Sequence, residues 1–170
     1  MPERLFKAAS ARMAPGLNAI ESLAESCGTS LTATGIRYAQ LSDDPVTVVC
    51  SKGGRVQFAF MSQALKGTRG LTWIRKNMGL PAGTATAEFN KDETNVAETR
   101  RVTSSCTMDA WFDCGGTVRM VEEVVGLGSY GLTLTVLSGD PFFEVGEEES
   151  EENEAENILP SDRWRQSRRD

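Results

Sequence analysis

Glu122 and Glu123 form a carboxylate pair just ahead of a glycine-rich stretch. Paired carboxylates can divide acid and base work between them. Here, though, Val118, Met120 and Glu122 alternate with Arg119 and Val121, which reads as a strand, and successive strand residues point to opposite faces. The two carboxyls should therefore not converge on one substrate. The expectation is that one faces inward and is held by an arginine. The 170 residues include no histidine. That removes the imidazole base of a catalytic triad or Cys–His dyad and both ligands of a His-Glu-x-x-His zinc helix. Cys27, Cys50, Cys106 and Cys114 are scattered without a CxxC pair, so they read as reduced, partly buried thiols. No GxxxxGK[ST] phosphate loop is present. Gly126, Gly128 and Gly131 spell GxGxxG, but strand-like Leu132 to Leu137 follows where a dinucleotide site needs a helix. A hairpin turn around Tyr130 is the expectation.

The elements that position these residues begin with helices. Leu5, Ala9 and Met13 recur at four-residue steps beside Phe6, which predicts an amphipathic helix over Met1 to Met13, broken by Pro15-Gly16. Asn18 can cap a second helix, with Glu21 placed to bond back. Ile20, Leu23, Ala24 and Cys27 share its inner face, and Gly28 is a natural stop. Ser30 can cap a third helix running to Leu41, which Asp43-Asp44-Pro45 ends. Two short helices around a glycine-containing turn make a helix-turn-helix outline. Reading DNA would call for basic and amide side chains on the second of them. It offers Arg37 and Gln40, with Ser30 and Thr32 near its start, as candidate DNA or partner contacts; packing is the plainer explanation.

A β-rich region follows. Val46 to Ser51 is a strand, Gly53-Gly54 a turn, and Arg55 to Met61 a return strand with Val56, Phe58 and Phe60 on one face. Leu71 to Met78 is expected as a short strand holding Trp73. Gly83-Thr84 could open a short helix within Pro81 to Phe89. Asn90 to Ser105 is either a long loop or a frayed helix. Cys106 to Cys114 reads as a strand with Met108, Ala110 and Phe112 on one side and Trp111 on the other, turned by Gly115-Gly116 into the Glu122 strand. Leu132 to Leu137 is the last strand, and Pro141-Phe142-Phe143 closes the body.

The net charge of −6 belongs to the tail: residues 144–170 hold ten acidic and four basic side chains, and residues 1–143 hold fourteen of each sign. A neutral body supplies no strong field for drawing in nucleic acid. The acidic run from Glu144 to Glu156 cannot bury enough surface to order itself and is expected to be disordered, with an arginine-rich end after it. No window approaches the roughly 20 apolar residues of a membrane span, and no secretory core is apparent at the start. A cytoplasmic location is the expectation.

Two blocks carry a resemblance. The first is Leu23-Ala24-Glu25-Ser26-Cys27-Gly28-Thr29-Ser30-Leu31-Thr32-Ala33-Thr34-Gly35-Ile36-Arg37, continuing through Leu41-Ser42-Asp43-Asp44-Pro45 to Val48-Val49-Cys50-Ser51-Lys52. The second is Val121-Glu122-Glu123 with Leu127-Gly128-Ser129-Tyr130-Gly131-Leu132-Thr133-Leu134-Thr135. They resemble the region that follows the zinc-binding helices in the ImmA/IrrE family of metallo-endopeptidases, and Met1-Pro2 with Leu5-Phe6 is similar to the segment that ends those helices. The resemblance spans roughly Met1 to Leu137 and is patchy from Lys66 to Ser105. It implies a zinc endopeptidase half that cleaves a helix-turn-helix repressor and so controls stress or mobile-element genes. No position here matches that half's ligands, so no catalytic or metal residue carries over and zinc is implied only for the missing domain. Three accounts are compatible with the gap: a start placed at an internal methionine, a gene remnant, or a shortened non-catalytic regulator.

Together these readings predict an α+β chain: a helical, helix-turn-helix-like region over 1–44, a mostly antiparallel β-rich domain over 45–143, and a tail over 144–170. The expected function is a non-catalytic regulatory or docking module with no cofactor of its own. Its expected partner is a helix-turn-helix repressor or the peptidase half, with no membrane. The alternative is a small DNA-binding transcriptional regulator. Glu122, Glu123 and Tyr130 are expected to form a structural or sensing turn, small-molecule sensing being a third reading.

Overall fold

Three helices open the chain: α1 (Glu3–Ser10), α2 (Leu17–Cys27) and α3 (Leu31–Leu41). Five strands follow, β1 (Val46–Lys52), β2 (Arg55–Met61), β3 (Arg101–Thr107), β4 (Arg119–Gly126) and β5 (Thr133–Gly139). Short helices α4 (Gln63–Lys66), α5 (Ala85–Phe89) and α6 (Glu93–Ala97) lie between β2 and β3, and α7 (Met108–Phe112) lies between β3 and β4. The fold is α+β. This computed structural model describes residues 2–68, 70–112 and 118–139. The expected tail over 144–170, the Pro141-Phe142-Phe143 closure, Cys114 and the Gly115-Gly116 turn lie outside the described residues.

The strands form one antiparallel sheet in the order β2-β1-β5-β4-β3. Helices α1, α2 and α3 cover one face. There Phe6, Leu17, Ile20, Leu23 and Tyr38 pack with Val46, Val48, Val125, Leu134 and Val136 in a single cluster. The approach of α3 is close because position 35 has no side chain: a Cβ on Gly35 would stand 3.3 Å from Val48 Cγ1. The other face divides in two. One part is apolar, with Val49, Val56, Met61, Met120 and Leu137 under Leu65, Trp111 and Phe112. The other part is polar, with Ser51, Thr133, Thr135 and Glu122 all buried.

Local signals account for much of this. Ser30 caps α3, its Oγ accepting from the Ala33 N–H at 3.2 Å, and α2 closes on left-handed Gly28. Gly53 and Gly54, with φ of 55° and 73°, make the β1–β2 turn that left-handed residues favour. Thr84 caps α5, as Gly83-Thr84 suggested. The GxGxxG string is a hairpin connection: the Leu127 N–H donates to the Leu132 carbonyl at 2.8 Å around a 3-10 turn over Gly128–Tyr130.

Other expectations are corrected. Asn18 does not cap α2; the helix starts at Leu17, and the Glu123 carboxylate of β4, on the sheet face that α2 covers, supplies the acceptor. Glu21 turns outward to Arg101 instead, at 2.9 Å. Leu71 to Met78 is loop, not strand, with Trp73 53% exposed; left-handed Asn77 ends any extended run there. Cys106 to Cys114 is not a strand. Met108, Trp111 and Phe112 are buried at helical spacing in α7, while Ala110 is exposed. Val56 does not share a face with Phe58 and Phe60. The register slips between Cys50 and Ser51 so that Gln57 bulges, which turns Val56 to the opposite face. Asn90 to Ser105 resolves into α6 and most of β3.

Candidate functional site

Position 122 is where sequence and structure concentrate buried charge. Glu122 lies mid-strand in β4, 1% exposed, facing the polar half of the sheet. Two backbone amides and a hydroxyl hold it. The Thr86 N–H donates to Oε1 at 2.7 Å, Thr86 Oγ1 to the same oxygen at 2.6 Å, and the Ala85 N–H to Oε2 at 3.1 Å. The free N–H groups at the start of α5 thus point at a carboxylate, the arrangement an N-terminal helical turn favours. No arginine is among these three donors. Because the Thr86 hydroxyl proton goes to Glu122, the 2.8 Å contact between Thr86 and Thr135 hydroxyls has Thr135 as its donor.

The network continues through Asn90. Its Nδ2 donates to the Thr86 carbonyl at 2.8 Å and to Ser51 Oγ at 3.4 Å, and its Oδ1 accepts from Thr133 Oγ1 at 3.2 Å. Three strands and α5 are therefore tied by side chains that are individually unremarkable in the sequence. A short helix opened by Gly83-Thr84 was readable; the link from Thr135 through Thr86 to Glu122 was not.

Beside this network is a cavity of about 390 Å³, lined by Gly83, Thr84, Ser104, Cys106, Arg119 and Glu122. Burial, with the Glu122 and Asp109 charges adding to it, pushes the Cys106 thiol up to about 12. It is a protonated thiol at neutral pH and a poor nucleophile. Glu122 is engaged by three donors, and Glu123 points to the other face, accepting the Leu17 N–H at 2.6 Å. The pair does not meet at a reacting atom. The chain has no histidine, and among the described residues no three Cys, Asp or Glu side chains cluster as ligands.

The other candidate residues fall into two separate places. Arg37 and Gln40 line an open groove of about 340 Å³ with Phe6, Cys27, Ala33 and Ile36. The Arg37 guanidinium lies 5.4 Å from the centre of the Phe6 ring, a cation–π geometry. Ser30 and Thr32 line a different hollow of about 320 Å³, with Arg101, Leu127 and Tyr130. Tyr130 is 75% exposed there. The helix-turn-helix outline is real as two consecutive helices, but α3 is fixed to the sheet through buried Thr34, Gly35, Tyr38 and Ala39. No helix among the described residues is long and apolar enough to cross a membrane. No protein-family model matches this chain, and no curated protein matches it.

Proposed function

We propose that this chain is a non-catalytic regulatory module of the ImmA/IrrE kind that docks onto a helix-turn-helix repressor. One observation carries the reading: the groove formed by Phe6, Cys27, Ala33, Ile36, Arg37 and Gln40. Its lining sets apolar Phe6, Ala33 and Ile36 beside polar Thr29, Thr34, Arg37 and Gln40, which suits an amphipathic helix. The two adjacent glutamates support a structural role, since each is engaged in holding a helix. The lack of histidine in these 170 residues supports a role without hydrolysis.

The test is a titration of the purified chain with a helix-turn-helix repressor from the same genome, followed by calorimetry, with Arg37→Ala and Ile36→Asp alongside. A stoichiometric complex weakened tenfold or more by both substitutions is the expected result. A complex with a peptidase half, and none with the repressor, would redirect the partner. The DNA-binding alternative predicts something different: a mobility shift with steep salt dependence that Arg37→Ala weakens, with no complex formed by the repressor protein alone.

A further inference from the structure

The two edges of the sheet are built differently. On β2, Gln57 bulges, the Val56 N–H donates to the Met78 carbonyl at 2.9 Å, the Asn77 N–H donates to the Val56 carbonyl at 2.8 Å, and Arg55 bridges Gly79. Bulges and covering loops of this sort are how natural sheets keep an edge from recruiting another strand. On β3 no such device is present among the described residues. Its register with β4 runs without a break from Arg101 to Thr107. It contains no proline or lysine, and Arg101 to Ser105 are all exposed.

Main-chain bonding fixes which groups face outward. The Gly126 N–H donates to the Arg100 carbonyl at 3.0 Å, and the Met108 N–H to the Val118 carbonyl at 2.8 Å. Both pairs lie in register with β3–β4. In an antiparallel ladder the directly bonded pairs alternate, so residues 102, 104 and 106 also face β4. Arg101, Thr103, Ser105 and Thr107 then direct their N–H and C=O groups to the open side. Among the described residues these groups meet no main-chain partner; the Ser105 carbonyl takes a 3.3 Å bond from the neighbouring Ser104 hydroxyl.

We infer that β3 pairs antiparallel with β3 of a second copy of this chain, about a two-fold axis at Ser104. This register engages all four outward residues on each strand: Arg101 opposite Thr107 of the other copy, and Thr103 opposite Ser105. A two-residue slip leaves one outward residue of each strand unpaired. The side chains match as well. The strand's one charged residue, Arg101, meets a threonine, and the two arginines stand at opposite ends, about 20 Å apart at roughly 3.4 Å per residue. Val102 faces Cys106, a pair of small apolar groups, and Ser104 faces its own symmetry mate. An isologous contact requires a patch complementary to itself, and the Arg101–Thr107 segment meets that condition. One strand pair is smaller than the roughly 1,200–2,000 Å² of a standard interface, so the dimer is reversible and depends on concentration. This surface is separate from the α1–α3 groove, and the inference does not rest on the function proposed for that groove.

The experiment is sedimentation of the full chain from about 1 μM to about 1 mM, a span that brackets weak association. Ser105→Pro deletes an outward N–H, and the Thr103→Lys/Ser105→Lys pair sets lysines opposite each other; circular dichroism verifies that each folds. Ser104→Cys places two thiols at a non-bonded antiparallel pair with Cα atoms about 4.5 Å apart, within disulfide reach. The expected result is a monomer–dimer equilibrium within the range and at least a tenfold weakening by each folded edge variant. Ser104→Cys should give an oxidised covalent dimer well above the wild-type level. Three results would overturn the inference: a monomer throughout, which is also what an edge reserved for another protein's strand would give; a dimer that both the folded proline variant and the lysine pair leave unchanged; or cross-linking of Ser104→Cys no greater than wild type.

Discussion

Glu122 and Glu123 are neighbours on β4 whose carboxylates act on opposite faces of the sheet, each accepting from the first free N–H groups of a helix on its own side. Glu122 receives Ala85 and Thr86 at the start of α5, and Glu123 receives Leu17 at the start of α2. A single dipeptide thereby pins both covering layers to the sheet. Its chemistry is that of two helix caps supplied from a distance, and its strand periodicity is what sends them apart.

Removing the first cap should be costly because its donors are buried. Glu122→Gln keeps the shape but turns one acceptor into a donor aimed at a backbone N–H. An unsatisfied buried group costs about 1–3 kcal/mol, and a loss of that size should appear as a lower urea midpoint at unchanged slope. Thr86→Val removes the hydroxyl that bonds both Glu122 and Thr135. Since the two positions share a network, their double variant should cost less than the two single losses added together. Additive losses would mean that the network is not a unit.

The second cap can be tested through the glycine that makes room for it. Gly16 has φ of 147°, and a Cβ there would run into Glu123 Oε2. Glu123→Ala should cost about 1 kcal/mol, the usual worth of an N-cap. Gly16→Ala should cost more, since it combines backbone strain with displacement of the cap. In the Glu123→Ala background the same glycine change should cost less, because the collision is gone and only the strain remains. Thermal or urea unfolding of the four proteins measures this directly.

How much of this was legible depends on sequence distance. Ser30, Gly28 and Gly53-Gly54 act within a few residues of themselves, and the α2–α3 pair and the β1–β2 hairpin were readable from them. The bonds that organise the candidate site span 36 residues from Thr86 to Glu122 and 106 from Leu17 to Glu123, and no local pattern announces them. The local signal at Asn18 even pointed to the wrong cap, because a remote carboxylate reached the helix one residue earlier. β3 escaped notice for a different reason. Arg101 to Ser105 has little apolar side chain to alternate, as expected of an edge strand that buries little. At α7 the burial of residues 108, 111 and 112 is helical, but the apolar residues at 108, 110 and 112 mimic a strand.

Close packing against backbone gives a sharper test than packing against side chains. A Cβ at Gly126 would lie 2.6 Å from the Asn95 carbonyl oxygen and 2.7 Å from Val96 Cα. Neither atom can rotate away, so Gly126→Ala must push α6 off the end of β4. A loss of about 2 kcal/mol or more is expected, within the range for overpacked sites. Gly35→Ala meets only a Val48 methyl at 3.3 Å, and alanine gains about 1 kcal/mol of helix propensity over glycine, so its net effect should be smaller. Gly35→Leu should be strongly destabilising. Denaturant midpoints should fall least for Gly35→Ala and clearly further for both Gly126→Ala and Gly35→Leu.

Alkaline stability follows from the thiols. Burial pushes Cys50 up to about 11, and burial with the charges of Glu122 and Asp109 pushes Cys106 up to about 12. Both start from an ordinary value of 9.0. Below pH 9 both thiols are protonated whether the chain is folded or not, and they make no difference to pH dependence. Above pH 9 the unfolded chain loses these protons while the folded chain keeps them, so unfolding releases protons and stability falls as pH rises. The decline from these groups should run from about pH 9 toward 11–12. Tyr38, raised mainly by burial and then by Asp44, adds to it with the same sign. Thermal midpoints measured across that window should drop, and Cys106→Ser should make the drop shallower without abolishing it. Alkylation at pH 8 gives the matching kinetic readout: Cys50, buried in β1, should react only on unfolding, and half-buried Cys27 should react well before it. A midpoint that rises between pH 9 and 11, or a Cys50 thiol labelled quickly in the folded protein, would contradict this account of the buried thiols.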